Sequence, residues 1–309
     1  MISFARLLLR RVALLVALLA TVFVAVDLLP GNTARAVLGR EATPEQIAAK
    51  ERQLGLDRPL PVRFWNWISG VATGDFGRTA RGRSVNELLV DKFPPTLLLG
   101  GLALGLTVVA SLALGAWWAT RPGSAATRVL QPATTTAVAV PEFVISTVLI
   151  LVFALALGWL PAVTITDRSG FPAGPDMLVL PVLALALPQI GWNTRVVRAA
   201  LADAAEAPHV ESAVLEGLST RVVLVRHVLP FALPTIVASF ATTVGMLLGG
   251  SLVVETIFNY PGLGAVLAGS VADRDTSVVA AVVALSGVVI MVMLAAADGI
   301  RAWSLRGRR

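Results

Sequence analysis

TLLLGGLALGLTVVASLALGAWWAT, Thr96 to Thr120, runs for 25 residues without a charged side chain. About 20 apolar residues of α-helix, rising 1.5 Å each, cross the roughly 30 Å hydrocarbon core of a bilayer. This stretch therefore predicts a transmembrane helix. Five others resemble it, near Val12 to Leu29, Val138 to Leu160, Leu178 to Thr194, Phe231 to Val254 and Ser277 to Ala297. The fourth of the six carries Pro181 and Pro188 and is expected to be a kinked span, because neighbouring helices can satisfy backbone groups that proline frees. Composition points the same way: 56% of the 309 residues are apolar and 14% charged, where a soluble domain has about 25% charged residues. That excludes an ordinary globular enzyme and a disordered chain, and the lack of cysteine excludes a disulfide scaffold. The expected fold class is all-α, a polytopic membrane protein of six transmembrane helices.

Ala34-Arg35-Ala36 has the spacing of a signal-peptide cleavage site, but the apolar run before it exceeds the 7 to 15 residues of a signal core. The first span is read as an uncleaved helix. Arginine and lysine orient a chain when they lie in short loops near the membrane. Thirteen of the 25 basic residues lie at the N-terminus (Arg6, Arg10, Arg11), after the second span (Arg121, Arg128), after the fourth (Arg195, Arg198, Arg221, Arg226) and at the C-terminus (Arg301, Arg306, Arg308, Arg309). The loops after the third and fifth spans hold one each, Arg168 and Arg274. Both termini are expected in the cytoplasm. The remaining ten mix with seven acids in residues 31–95, and long segments translocate largely regardless of charge. The net charge of +6 thus reads as a topology signal. Nucleic-acid binding would need a clustered basic face.

The expected organisation is a first helix with its N-terminus (1–30), an external cap (31–95), a five-helix core (96–299) and a basic tail (300–309). In the cap, Thr43-Pro44-Glu45-Gln46 reads as a capping box with proline at the first helical position, and Gly55 as a stop, predicting a helix from Pro44 to Gln53. A second helix starts near Pro61. Its Phe64, Trp65, Trp67 and Ile68 form a broad apolar face expected to anchor the cap on the membrane interface or the neighbouring helix ends, or to meet an outside partner. Residues 195–230 form a loop too long for a mere connector. Pro208 and Gly217 punctuate it, Ser219 suits an N-cap, and four acids (Asp203, Glu206, Glu211, Glu216) balance its four arginines. Two short helices hinged at Gly217, neutral overall, suit docking to a protein better than to lipid.

ESAVLEGLSTRVVLVRHVLPFALPTIV, Glu211 to Val237, resembles the EAA loop of ATP-binding-cassette importer permeases, with the pattern's small residue, glycine and proline at Ala213, Gly217 and Pro230. LVVETIFNYPGLGAVLAGSVADRD, Leu252 to Asp275, and the segment from Leu28 to Thr79, with its LPG and GDFG turns, are similar to the dipeptide/oligopeptide/nickel permease family. The long segment after the first helix resembles the first of that family's two paired permeases. Glu211 and Glu216 depart from it, standing where basic residues are more frequent, and Asn32 stands where aspartate is. The resemblance implies a type I importer fold in a bacterial plasma (inner) membrane, a heterodimeric pore with a second permease subunit, ATPase subunits that carry ATP and Mg, and an extracytoplasmic solute-binding protein. It implies contact with the ATPase through Glu211, Ala213, Gly217, Arg221, Arg226, His227 and Pro230. Substrates implied are dipeptides or oligopeptides, with nickel or a metal chelate as the alternative.

No catalytic residue and no cofactor bound by this chain is expected. The only lysines, Lys50 and Lys92, do not follow glycine, so the chain lacks a P-loop. The two histidines, His209 and His227, lack the spacing of a helical metal pair and are expected to make polar contacts at the ATPase interface. Glu142 follows Pro141 within an apolar stretch, and an intramembrane acid marks a functional site by default. It faces the translocation path, pairs with a polar group on another helix, or relays protons. Glu255 ends the fifth span, where solvation is expected. Gly101 with Gly105, and Gly245 with Gly249, give small-residue faces for close helix packing, or in the fifth span a gate. A secondary transporter or channel is the rival from another class, but it would show inverted repeats and several intramembrane charges. A membrane scaffold would leave both long loops unexplained.

Overall fold

The computed structural model describes residues 4–29, 31–39, 41–121 and 123–306. Pro30 of the LPG turn and Arg308 and Arg309 of the basic tail lie outside the described residues. In chain order the helices are α1 (Phe4–Asp27), α2 (Thr33–Leu38), α3 (Pro44–Leu54), α4 (Leu60–Ala72), α5 (Val85–Ala119), α6 (Ala125–Ala139), α7 (Glu142–Leu149), α8 (Asp176–Ala205), α9 (Pro208–Leu215), α10 (Thr220–Val222), α11 (Leu229–Ile257), α12 (Leu263–Ala272) and α13 (Thr276–Arg306). Among the described residues, α1, α5, α8, α11 and α13 are long and apolar enough to cross a membrane.

The stretch from Val138 to Leu160 does not form one straight span. Pro141 follows Val140, whose backbone is extended (φ −87°, ψ 122°), because the ring of a proline clashes with a helical residue before it. Thr127–Ala139 and Glu142–Ala156 meet there at 107°, so a sixth crossing exists only as this bent pair. After Leu149, α7 widens into a π-helical turn, Ile150–Ala156. By contrast α8 runs for 30 residues through both Pro181 and Pro188.

The chain divides into two compact units. One contains residues up to Thr96 together with Arg168–Phe171 and Pro261–Val289; the other contains Leu97–Asp167, Pro172–Tyr260 and the chain from Ile290.

The first unit is built on Leu19 and Phe23 of α1, Trp67 of α4, Val85 and Leu89 of α5, and Val278, Ala280 and Ala281 of α13. Phe23 meets Phe64 edge-on with ring centroids 5.5 Å apart, so the aromatic face of α4 packs on α1. Trp65, 69% exposed, is the member of that face left outside. Helix α3 begins with a reciprocal capping box between Thr43 and Gln46 and ends at Gly55 in the left-handed conformation (φ 67°).

Asp275 is buried and accepts the Ala80 N–H at 2.5 Å and the Val278 N–H at 3.4 Å, tying a turn of the 31–95 segment to the start of α13. Burial pushes its carboxyl above the ordinary carboxylate range, against the pull of those donors. In Asp275→Asn one accepting oxygen becomes an NH2 facing an N–H. Thermal unfolding in detergent should show a loss of about 1–2 kcal/mol, and an unchanged midpoint would refute the tie.

In the second unit α8 is the central helix, with Leu180, Ala184, Leu185 and Ala186 buried against Leu99 and Ala103 of α5, Leu149 of α7 and Leu247 and Val254 of α11. Glycines set its closest approaches. A Cβ on Gly191 would lie 2.8 Å from the Thr134 carbonyl of α6, and one on Gly115 of α5 would lie 3.0 Å from the Thr194 carbonyl. The glycine pairs expected to do this work do not. A Cβ on Gly101, Gly105 or Gly249 would meet nothing within 4 Å, and one on Gly245 only ordinary contact with Ile290. Spacing puts two glycines on one face of a helix, but which face meets a neighbour is decided by packing.

Candidate functional site

Residues 206–230 build a helix-glycine-helix element from local rules. Pro208 opens α9 at a position where its missing N–H costs nothing. Gly217 then takes φ +80°, its N–H bonding the Val214 carbonyl (3.0 Å) while the Leu218 N–H reaches the Ala213 carbonyl (3.2 Å). This is a Schellman ending, which favours glycine because it needs a left-handed residue. Ser219 occupies the N-cap position of α10 without a side-chain bond. The second arm is not a separate helix. It continues through a π-helical turn, Val223–Val228, into α11, where Pro230 lacks the N–H that a regular helix would need.

One side of the element is packed: Val210, Ala213, Val223 and Val228 bury against Val197, Ala200 and Leu201 of α8. The other side presents apolar groups to the outside, with Leu215 81% and Val214 58% exposed. Glu211, Glu216, Arg221 and Arg226 are exposed around them and form no ion pair among the described residues. His209 makes its polar contact inside the chain. The His209 Nε2–H donates to the His227 carbonyl at 3.0 Å, and its ring stacks 4.2 Å from Phe231. His209 is an internal brace between α9 and the π-helical turn, because the bend at Gly217 folds the two arms together.

Within the second unit, Glu142 occupies the first turn of α7, where the helix dipole favours a carboxylate. A Cβ on Gly250 of α11 would lie 3.3 Å from Glu142 Oε1 and 3.3 Å from Leu185 Cδ2, so this glycine makes room for the acid. Spacing singled out Gly245 and Gly249 for helix packing or a gate, but the glycine of α11 that meets Glu142 is Gly250. Glu255 is fully buried (0% exposed), against the expectation of easy solvation at a span end. Burial and then the Glu255 charge push the Tyr260 hydroxyl above its usual range, so it stays protonated.

A polar belt crosses the middle of α8 and α11. Asn193, wholly buried, donates to the Gln189 carbonyl and to Thr243 Oγ1 (both 2.8 Å) and accepts from Ser239 at 2.7 Å. Gln189 and Asn193, four apart within an apolar stretch, were the signal for it. The outer face of α11 is also unlike a lipid surface. Thr235, Ala238, Thr242, Met246, Gly249, Val253 and Thr256 recur every three or four residues and are all exposed.

Such an architecture, long apolar helices joined by a structured loop with an exposed apolar tip, is that of a polytopic membrane protein. The chain belongs to the family of inner membrane components of binding-protein-dependent transport systems, which matches residues 111–309, while that family's N-terminal region matches residues 1–83. It is an importer permease of the ATP-binding-cassette class. It is 36% identical over 265 residues to the glutathione transport system permease protein GsiC of Salmonella choleraesuis (strain SC-B67), covering 85% of this chain and 84% of that one. A probable peptide ABC transporter permease, y4tP, of Sinorhizobium fredii is 31% identical over 293 residues, 93% of this chain and 94% of that one. Among solved structures, the MetNI methionine ABC transporter in inward-facing conformations aligns with a TM-score of 0.56 at 20% identity, over 70% of this chain and 95% of that one. An amino acid ABC transporter crystallised with histidines aligns at 0.51 and 17%, over 68% and 90%. These two bear on the fold alone.

Proposed function

We propose that this chain forms half of a pore for small peptides in a bacterial plasma membrane, paired with a second permease subunit. The relatives named for glutathione, a tripeptide, and for peptides support that substrate class. Both termini and the 195–230 loop are cytoplasmic in this reading, and residues 31–95 face the extracytoplasmic solute-binding protein. The observation that carries it is the helix-glycine-helix element, whose exposed Leu215 and Val214 offer an apolar knob to a groove on a separate ATPase subunit. That subunit would hold the ATP and Mg. The exposed threonine and glycine face of α11 suits the second permease and the path between the two, since lipid would select larger apolar side chains.

The pore would be driven from outside itself. Closure of two ATPase subunits would carry the loops with them and tilt the helices between outward and inward states, a rigid-body coupling. Because the chain has no cysteine, single cysteines report cleanly. Leu215→Cys should cross-link to the co-purified ATPase subunit and react with thiol reagents only from the cytoplasmic side, while Asp57→Cys reacts from outside. Reversed labelling would overturn the orientation, and a lack of cross-linking in an active complex would overturn the docking surface. Purifying the complex with its binding protein and identifying the ligand by mass spectrometry tests the substrate. A metal chelate there would replace the peptide reading.

A further inference from the structure

The first unit contains a cavity of about 200 Å³ that the proposed function leaves unused. Four guanidinium groups line it, those of Arg58, Arg63, Arg78 and Arg274, against one carboxylate, that of Asp275. Two of the four are already engaged. Arg63 pairs with Asp27 at 2.6 Å, and Arg78 Nη1 donates to the Gly82 carbonyl at 3.2 Å. Asp275 spends both oxygens on the Ala80 and Val278 N–H groups. Arg58 and Arg274 meet no carboxylate among the described residues.

Arg274 is deliberately seated. Its guanidinium lies so close to Gly31 that a Cβ there would be 1.9 Å from Nη1, and its own backbone is left-handed at φ 57°. Trp67, 8% exposed, also lines the cavity. The guanidinium groups of Arg58 and Arg274 are therefore uncommitted, and such a set calls for an anionic ligand. The space is several times that of a water molecule and somewhat larger than the roughly 150 Å³ that holds benzene. Phe23, Leu54 and Leu56 give it an apolar side.

We propose that this cavity binds a small organic carboxylate about the size of an amino acid, its carboxylate held by Arg58 and Arg274 and its carbon skeleton against the apolar wall. The site lies within one unit and stands whether or not the peptide reading holds.

The test uses the full chain in lipid nanodiscs with succinate as probe, followed by ligand-observed NMR and by calorimetry. Saturable binding is expected, weakened at least about tenfold in Arg58→Gln/Arg274→Gln, the loss of charge-assisted hydrogen bonds. Arg58→Lys/Arg274→Lys should lose less, and succinamide should not bind. Arg58→Gln alone, at an exposed turn residue, keeps the test valid if the double variant fails to fold. Equal affinity in the glutamine variants, no saturable binding to the wild type, or displacement by chloride as effective as by succinate would each overturn the proposal.

Discussion

Gly217→Trp should leave an assembled complex whose ATP hydrolysis no longer drives transport, with uptake reduced at least about tenfold, the equivalent of about 1.4 kcal/mol. Gly217 sits at φ +80°, where an L-residue is disfavoured by roughly 1–2 kcal/mol. Nothing lies within 4 Å of a Cβ built there, so the penalty is conformational and not a clash. The two arms of the element would reorient, moving the exposed Leu215 away from the groove proposed for it, while the packed face on α8 holds the loop in place. Gly217→Ala carries the same backbone penalty without the bulk and should lose only a few-fold. Uptake and ATPase activity in proteoliposomes measure both. Normal stimulation and transport in the tryptophan variant would remove the docking role.

Glu142→Gln should lower uptake by about tenfold at unchanged complex yield. The change keeps the side chain's size at the start of α7 and removes the charge that a cationic substrate group would meet, a contact worth about 1.5–3 kcal/mol when charge-assisted. Gly250→Val should mimic it from the other side, since even a Cβ there presses on Glu142 Oε1 and on Leu185 Cδ2 at 3.3 Å. If uptake per complex is unchanged in Glu142→Gln, the pore role fails; if yield alone falls, the acid serves packing between α7 and α11.

Much of the architecture was legible because it rests on local chemistry. The capping box at Thr43, the stop at Gly55 and the elbow at Gly217 depend on residues within four or five positions of one another. Helix faces were legible only in part. Pro141 was visible beside Glu142, yet the sequence does not say whether a proline bends a span or is absorbed by it: Pro188 is absorbed in α8, while Pro141 turns the chain by 107°. Nor does spacing reveal that His209 makes a bond across the elbow or that Glu255, at the end of its span, is wholly buried.

The sequence by itself determined that this is a polytopic helical membrane protein with a loop punctuated at Pro208 and Gly217, because apolar length, charge placement and turn chemistry act over short distances. Only the tertiary structure decided which glycine faces Glu142, that the third stretch is broken, and that guanidinium groups of Arg58 and Arg274, more than 200 positions apart, line one cavity. Such contacts follow from how whole helices pack, and no spacing along the chain records that.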